Sequence, residues 1–400
     1  MERAELAHRL GVPLTSGSPR DVVVAEREPE AFRAAFAAAV AAGGNVFLAD
    51  PAWGAIERTQ FDALRTDQTP PDLETGWLCI PTGGSSGQIK LARHDQRTLA
   101  AAVRGFCAHF GVTQVNAVGL LPLHHVSGLM AWLRCVLTGG RYVPWEGRAL
   151  SEGRMPPRLA GDGDWFLSLV PTQLARLIEQ PAAVDWLRGF RAVFIGGGAA
   201  WPALIETGSR LRLPLSFSYG MTETAAMVTA LRPEEFLAGS RGSGSALPHA
   251  SVRVDDDGVV VIRSGSLFRG YFPGMALLTE WATQDLGRLD ERDNLHLLGR
   301  RDGLIITGGE KVNPLEVEAA LRETGLVSDV AVLGLPDERW GEAVTAFYPQ
   351  DQAALDLPRV EAALAGVLAA YKRPKRYVAV SDWPRNAQGK VNRAALRRLA

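Results

Sequence analysis

Cysteine is scarce in this 400-residue chain: there are three, Cys79, Cys107 and Cys135, all in apolar surroundings and none in a CxxC or Cys/His pattern. That argues against a disulfide framework or a thiolate metal site, and an odd, sparse count suits a reducing cytoplasm. Buried, inert thiols are favoured over nucleophiles. A charge surplus is also missing, with 43 Lys and Arg against 44 Asp and Glu and a formal net charge of −1. No nucleic-acid partner is therefore expected, since one normally leaves a basic excess. No window offers the about 18 uncharged apolar residues of a membrane span. The opening MERAELAHRL carries charges where a signal peptide needs an apolar core, so a cytoplasmic protein is expected. No internal repeat is visible.

What is there, 46% hydrophobic and 22% charged residues, is the composition of a globular chain long enough for two or three domains. Residues 30–42 read as a helix and residues 45–49 as a short buried strand. Residues 66–75 read as a loop, from the Pro-Pro pair and its acidic neighbours. One grammar then repeats: an apolar run, a glycine or proline break, an amphipathic stretch. It occurs at residues 117–121 before Pro122, 166–170 before Pro171, and 192–195 before Gly196-Gly197-Gly198. The pattern implies an α/β unit with a substantially parallel sheet and ligands at the carboxyl ends of its strands. From about residue 241 the runs shorten (251–254, 259–262, 295–298), as in a small antiparallel region. A compact α+β unit follows Asp302, opening on a helix whose start, Asn313-Pro314 with Glu316, is patterned like a capping box. The expected domains are 1–301 and 302–400.

Three stretches carry chemistry. Thr82-Gly83-Gly84-Ser85-Ser86-Gly87, with Lys90 beyond, is not a Walker loop, because lysine does not follow the last glycine and Leu91 stands where a magnesium-binding hydroxyl belongs. Its amides and hydroxyls would still wrap a phosphate tail; a plain surface loop is the alternative. Gly196-Gly197-Gly198 fails as a dinucleotide fingerprint, since Trp201 replaces the third glycine and no acidic residue stands near position 216. Ser218-Tyr219-Gly220-Met221-Thr222-Glu223 offers an aromatic for a base, a hydroxyl for a phosphate and a carboxylate for Mg²⁺, or else simply a capped turn.

Taken in order, TGGSSGxxK, LPLHHVSG, GGGA, SYGMTE, TxDLG, GRRDGLIITGGEKVNP and PRNAQGKVNR resemble the adenylate-forming acyl-CoA synthetase superfamily, from Thr82 to Arg393. The resemblance implies a large N-terminal α/β domain, a hinge at Asp302 and a small C-terminal lid. It implies ATP, Mg²⁺ and CoA, and a two-step reaction in which a carboxylic acid is adenylated and then passed to a thiol. Thr82, Gly84, Ser85, Ser86, Gly87 and Lys90 would then hold the β- and γ-phosphates. Gly197, Gly198 and Ala199 would lie against adenine and the acyl pocket, with Tyr219 stacked on the base. Thr222 would bind the α-phosphate, Glu223 the Mg²⁺, Asp285 the ribose hydroxyls and Arg300 the ribose and phosphate side. Lys390 would reach the acyl carboxylate and α-phosphate, and rotation about Asp302 would exchange it for Gly308-Gly309-Glu310.

This chain departs from the superfamily pattern at Gly83 and Ile89, where serine and proline are usual, and only some 80 residues precede the phosphate loop, an abbreviated N-terminal region. Residues 121–129 and 168–174 further resemble the o-succinylbenzoate–CoA ligases of menaquinone and phylloquinone synthesis. An acid with a ring and a spectator carboxylate needs apolar walls and a few donors. His125, Ser127 and Thr172 are the expected donors, with Gly128 and Gly198 making room. A metal role for His124-His125 is set aside for want of a nearby acidic or cysteine partner, and His124 is expected to bond backbone. Another acid, a carrier-protein acceptor, and a regulatory nucleotide-binding protein remain as alternatives. Oligomeric state is left open.

Overall fold

The computed structural model describes residues 2–15, 17–66, 76–83, 89–156, 163–198, 200–308, 310–350, 355–385 and 390–399. These form four sheets. The first orders Arg20–Val24, Gly43–Leu48, Leu78–Gly83 and Ile89–His94, parallel except for the last pair, a hairpin. The second has seven strands. Tyr142–Pro144, Asn116–Gly119, Trp165–Leu169, Ala192–Ile195 and Leu215–Met221 run parallel, and Ala226–Ala230 and Ser245–Ala246 close it antiparallel.

Alternation along the parallel strands builds two cores from one sheet. Trp165, Leu167, Leu169, Val193 and Ile195 pack on one face with Leu187, Leu215 and Phe236. Phe166 and Phe194 point the other way and stack at 5.8 Å, capped by Phe106 and Phe110 from the helix Gln96–Phe110. Each such phenylalanine contributes roughly 1.5–3 kcal/mol by leaving water. The helix starts where Asp95 accepts from the Arg97 and Thr98 amides, both at 2.8 Å, and Thr98 returns the bond. A third cluster, with Phe32, Phe36, Trp77 and Trp132, joins the first sheet to the helices Pro29–Ala41 and Val126–Thr138.

The expected antiparallel region is the third sheet, Ala250–Val254, Val259–Ser264, Trp281–Leu289 and Leu295–Arg300. The fourth sheet begins at Ile305–Thr307 and adds Glu310–Val312, Gly341–Pro349, Ala331–Asp337 and Arg376–Val380. Its helix Pro314–Glu323 starts on Asn313, whose side chain accepts from Leu315 N. Glu316 does not complete a capping box; it binds Lys372 at 2.6 Å instead. The loop read at 66–75 lies outside the described residues, except that Thr66 ends the helix Ala55–Thr66. Among the described residues no helix is long and apolar enough to cross a membrane. Cys79, Cys107 and Cys135 are free thiols, and burial pushes Cys79 and Cys135 up to about 12.

Candidate active site

The carboxyl end of the strand Leu215–Met221 is the focus. Tyr219 is buried there, and its hydroxyl donates to Asp285 Oδ2 at 2.7 Å. Asp285 lies on Trp281–Leu289 directly opposite Arg300, whose Nη1 donates to Oδ1 at 3.1 Å. Burial, then the neighbouring Asp285 charge, raises the Tyr219 pKa, so the phenol stays a donor. Three residues drawn from separate motifs thus form one charged, hydrogen-bonded unit.

Beyond Tyr219 the chain enters a short turn, Thr222–Thr224, then two non-glycine residues with positive φ, Ala225 (50°) and Ala226 (78°). Such backbone costs about 1–2 kcal/mol per residue and is held where surroundings over-determine it. Here the Thr224 hydroxyl bonds to the Ala226 carbonyl at 2.6 Å, and His94 Nε2 donates to the Thr222 carbonyl at 2.7 Å. Burial lowers the His94 pKa to about 4, which keeps this imidazole neutral. The Glu223 carboxylate accepts the Tyr271 hydroxyl at 2.5 Å. Lys90 Nζ lies over the Tyr271 ring, 5.2 Å from its centre, and Lys90 pairs across the hairpin with Thr82. Glu223 and Lys90 therefore meet at Tyr271, which motif reading missed, with Thr222 next to Glu223 in the chain and Thr82 opposite Lys90 in the hairpin. Its setting, Gly270-Tyr271-Phe272-Pro273-Gly274, was the available signal. Gly84, Ser85, Ser86, Gly87 and Ala199 lie outside the described residues.

Lys390 comes from the far end of the chain to Gly197, just past the strand Ala192–Ile195. Gly197 has φ +78°, and a Cβ there would stand 2.8 Å from Lys390 Cε and 3.5 Å from Val170 Cγ1. Although solvent still reaches Lys390, crowding by surrounding protein lowers its ammonium pKa. Gly198 faces open space, as a pocket wall should. Thr172, two residues beyond Val170, is half-buried at the start of the helix Pro171–Leu177.

His125 caps the helix Val126–Thr138, with Ser127 half-buried in its first turn. Burial first, then His124, lowers the His125 pKa to about 3; Lys390 adds to the effect. Two expectations need correction. Gly128 does not open room for a ring: a Cβ there would sit 2.2 Å from the Pro122 carbonyl oxygen, so the glycine serves close packing of the helix on its own lead-in. His124 makes no backbone hydrogen bond, and an acidic partner does face it, with Asp50 Oδ1 3.5 Å from its Nε2. Burial works to raise the Asp50 pKa, but His124 and the Ala52 amide more than offset it and leave it lowered. Asp50 stands just past the parallel strand Gly43–Leu48, where strand topology puts functional groups.

Residues 7–272 match the model of the AMP-binding enzyme family, and residues 316–390 match that of the AMP-binding enzyme C-terminal domain. The chain belongs to the AMP-binding enzyme family. Among its relatives, a 2-succinylbenzoate–CoA ligase from Listeria monocytogenes is 31% identical over 352 residues, covering 84% of this chain and 74% of the relative. Another from Enterococcus faecalis is 28% identical, covering 81% and 70%. The fold is shared with an o-succinylbenzoate CoA synthetase from Bacillus subtilis solved with its acyl-adenylate intermediate. Its TM-score is 0.78 at 21% identity, with 99% of this chain and 91% of that one covered. Within this family member, Tyr219, Asp285 and Arg300 form one hydrogen-bonded unit, Glu223, Tyr271 and Lys90 a second, and Lys390 lies against Gly197. That set can neutralise a polyphosphate and hold a diol.

Proposed function

We propose that this chain is an AMP-forming acid–CoA ligase acting on o-succinylbenzoate in the cytoplasm, at the quinone-precursor stage named by its sequence resemblance. The observation that carries this reading is the approach of Lys390 to Gly197, just past the strand Ala192–Ile195, which pairs with the strand that bears Tyr219; Tyr219 in turn binds Asp285, and Asp285 binds Arg300. The names of its relatives at about 30% identity support the choice of acid.

In this reading the acid's carboxylate attacks the α-phosphorus of ATP and pyrophosphate leaves. Lys390 and Thr222 stabilise charge at the reacting phosphorus, and Lys90 and Thr82 hold the departing phosphates. Asp285 and Arg300 take the ribose, and Tyr219 and Gly197 the adenine. Glu223, buried and oxygen-bearing beside the Thr222 hydroxyl, fits Mg²⁺, a hard cation held by few carboxylates plus substrate oxygens. When bound, that ion supplies charge neutralisation at the phosphates. His125, Ser127, Thr172 and the space at Gly198 serve the acid. For the second step, the unit from residue 302 rotates about Asp302, withdraws Lys390 and brings Gly308 to Glu310 forward, so that CoA thiol reaches the acyl-adenylate.

The test is incubation with ATP, Mg²⁺, CoA and o-succinylbenzoate, with benzoate and octanoate in parallel, following pyrophosphate and acyl-CoA by mass spectrometry. Succinylbenzoyl-CoA from the first acid alone, lost in Lys390→Ala, is expected. Acyl-CoA from benzoate or octanoate instead overturns the choice of acid. Pyrophosphate without acyl-CoA overturns the choice of acceptor, and no pyrophosphate from any acid overturns the proposed reaction with these acids.

A further inference from the structure

Asp50 and His124 have no part in the reaction proposed above, yet they sit with His125 in an arrangement that hydrogen bonding leaves unexplained. Neighbouring side chains usually diverge, but the turn before the helix Val126–Thr138 sets the His124 and His125 rings with centres 4.4 Å apart and planes at 51°. The Nε2 atoms of both are buried and have no hydrogen-bond partner. His124 is only 5% exposed, and its Nε2 faces Asp50 Oδ1 at 3.5 Å without a hydrogen bond. Asp50 Oδ1 is itself fixed by the Ala52 amide at 2.8 Å. One donor atom from each of the three lies within 4.8 Å of the others.

We propose that Asp50, His124 and His125 form a three-ligand site for a zinc-type transition-metal cation. Two imidazoles and one carboxylate are the donor set of an open tetrahedral centre, with a fourth position left for water. Ligands about 2.0–2.2 Å from such a metal stand roughly 3.4 Å from one another. The Asp50–His124 pair already has that spacing. The His125 donor atom, within 4.8 Å of the other two, has to draw inward to complete the set. Nitrogen donors select zinc-like ions over Mg²⁺ or Ca²⁺, which prefer oxygen, so this site is chemically separate from the oxygen ligands at Glu223. Two buried imidazole nitrogens without a hydrogen-bond partner, one of them facing a carboxylate, are what such a cation would satisfy.

The experiment titrates the full chain with Co²⁺ as a spectroscopic probe and then displaces it with Zn²⁺. The visible d–d bands of tetrahedral cobalt, saturating at one ion per chain and erased by Zn²⁺, are expected. His124→Gln and Asp50→Asn should each weaken Co²⁺ binding by about ten-fold or more, with circular dichroism unchanged. Absence of the tetrahedral bands at saturating Co²⁺ overturns the proposal. So does equal affinity in both variants and the parent, which would put the ion on other histidines such as His8. No ATP, acid or CoA enters the measurement, so its outcome is independent of the ligase reading.

Discussion

Replacing Gly197 with alanine separates the backbone from the chemistry. Gly197 holds φ +78°, so an alanine there carries a left-handed penalty of about 1–2 kcal/mol. For a chain of this size each kcal/mol lowers Tm by only about 1 °C, so a drop of about 1–2 °C is expected. The new Cβ would also lie 2.8 Å from Lys390 Cε and 3.3 Å from Nζ. These atoms end a flexible side chain and can retreat by some tenths of an ångström at little cost to stability. The cost falls on alignment. Since a misplacement of about 1 Å removes about 10²-fold in rate, the smaller shift should remove about ten-fold. The assay is ATP–pyrophosphate exchange with o-succinylbenzoate, compared with acyl transfer to CoA from preformed acyl-adenylate. Exchange should fall about ten-fold, and transfer, in which Lys390 has withdrawn, by less than about two-fold. Gly11→Ala is the control: it has φ +79° with nothing within 4 Å of its Cβ, hence the same strain far from Lys390. Unchanged exchange in Gly197→Ala, or an equal fall in both half-reactions, would refute the placement of Lys390 in adenylation.

Tyr219→Phe removes a hydrogen bond to a charged acceptor, worth about 1.5–3 kcal/mol, so KM for ATP should rise about ten-fold or more with kcat little changed in steady-state assays. Glu318, 3% exposed, accepts from Val332 N at 2.8 Å and pairs with Arg393. Glu318→Gln should destabilise the fourth sheet by about 2 kcal/mol in urea titrations, less than a fully buried pair would lose because Arg393 is partly exposed. Acid should weaken the fold through its buried histidines. His94, His109 and His249 all have pKa values lowered to about 4 by burial, against about 6.5 in the unfolded chain. Above pH 6.5 both states are neutral and stability is full; between 6.5 and 4 the unfolded state binds more protons, so stability is lost as pH falls. For His94, fully buried, the loss is about 3 kcal/mol. A denaturant midpoint independent of pH over that window would refute this.

Much of the fold was legible for a physical reason. Parallel strands buried on both faces must be apolar runs, and each must break before its helix returns, so residues 166–170 and 192–195 announced themselves. Trp281–Leu289 did not. Its residues are mostly half-buried or exposed, and a strand with so little of either face covered has no hydrophobic period to read. Asp285 was found there only through its motif. Ile89–His94 was hidden for a different cause: a glycine-rich loop and its lysine read as one irregular stretch, although Lys90 sits in a regular hairpin. Within the site, motif order gave the residue types, but spacing along the chain could not show that Tyr271 serves Glu223 or that Asp50 faces His124. Those pairs are 48 and 74 positions apart and meet only because separate sheets converge.

That convergence gives both carboxylates a tyrosine donor, Tyr219 on Asp285 and Tyr271 on Glu223. Burial raises both phenol pKa values, with the carboxylate charges second, so each hydroxyl keeps its proton and remains a donor. A carboxylate has about four lone-pair sites. Tyr219 and Arg300 engage Asp285 at one site per oxygen, which leaves capacity for both hydroxyls of a ribose without breaking either bond. Under the proposed function the tyrosines would therefore aim the carboxylates before a nucleotide arrives, and binding would not first have to dismantle what holds them in place.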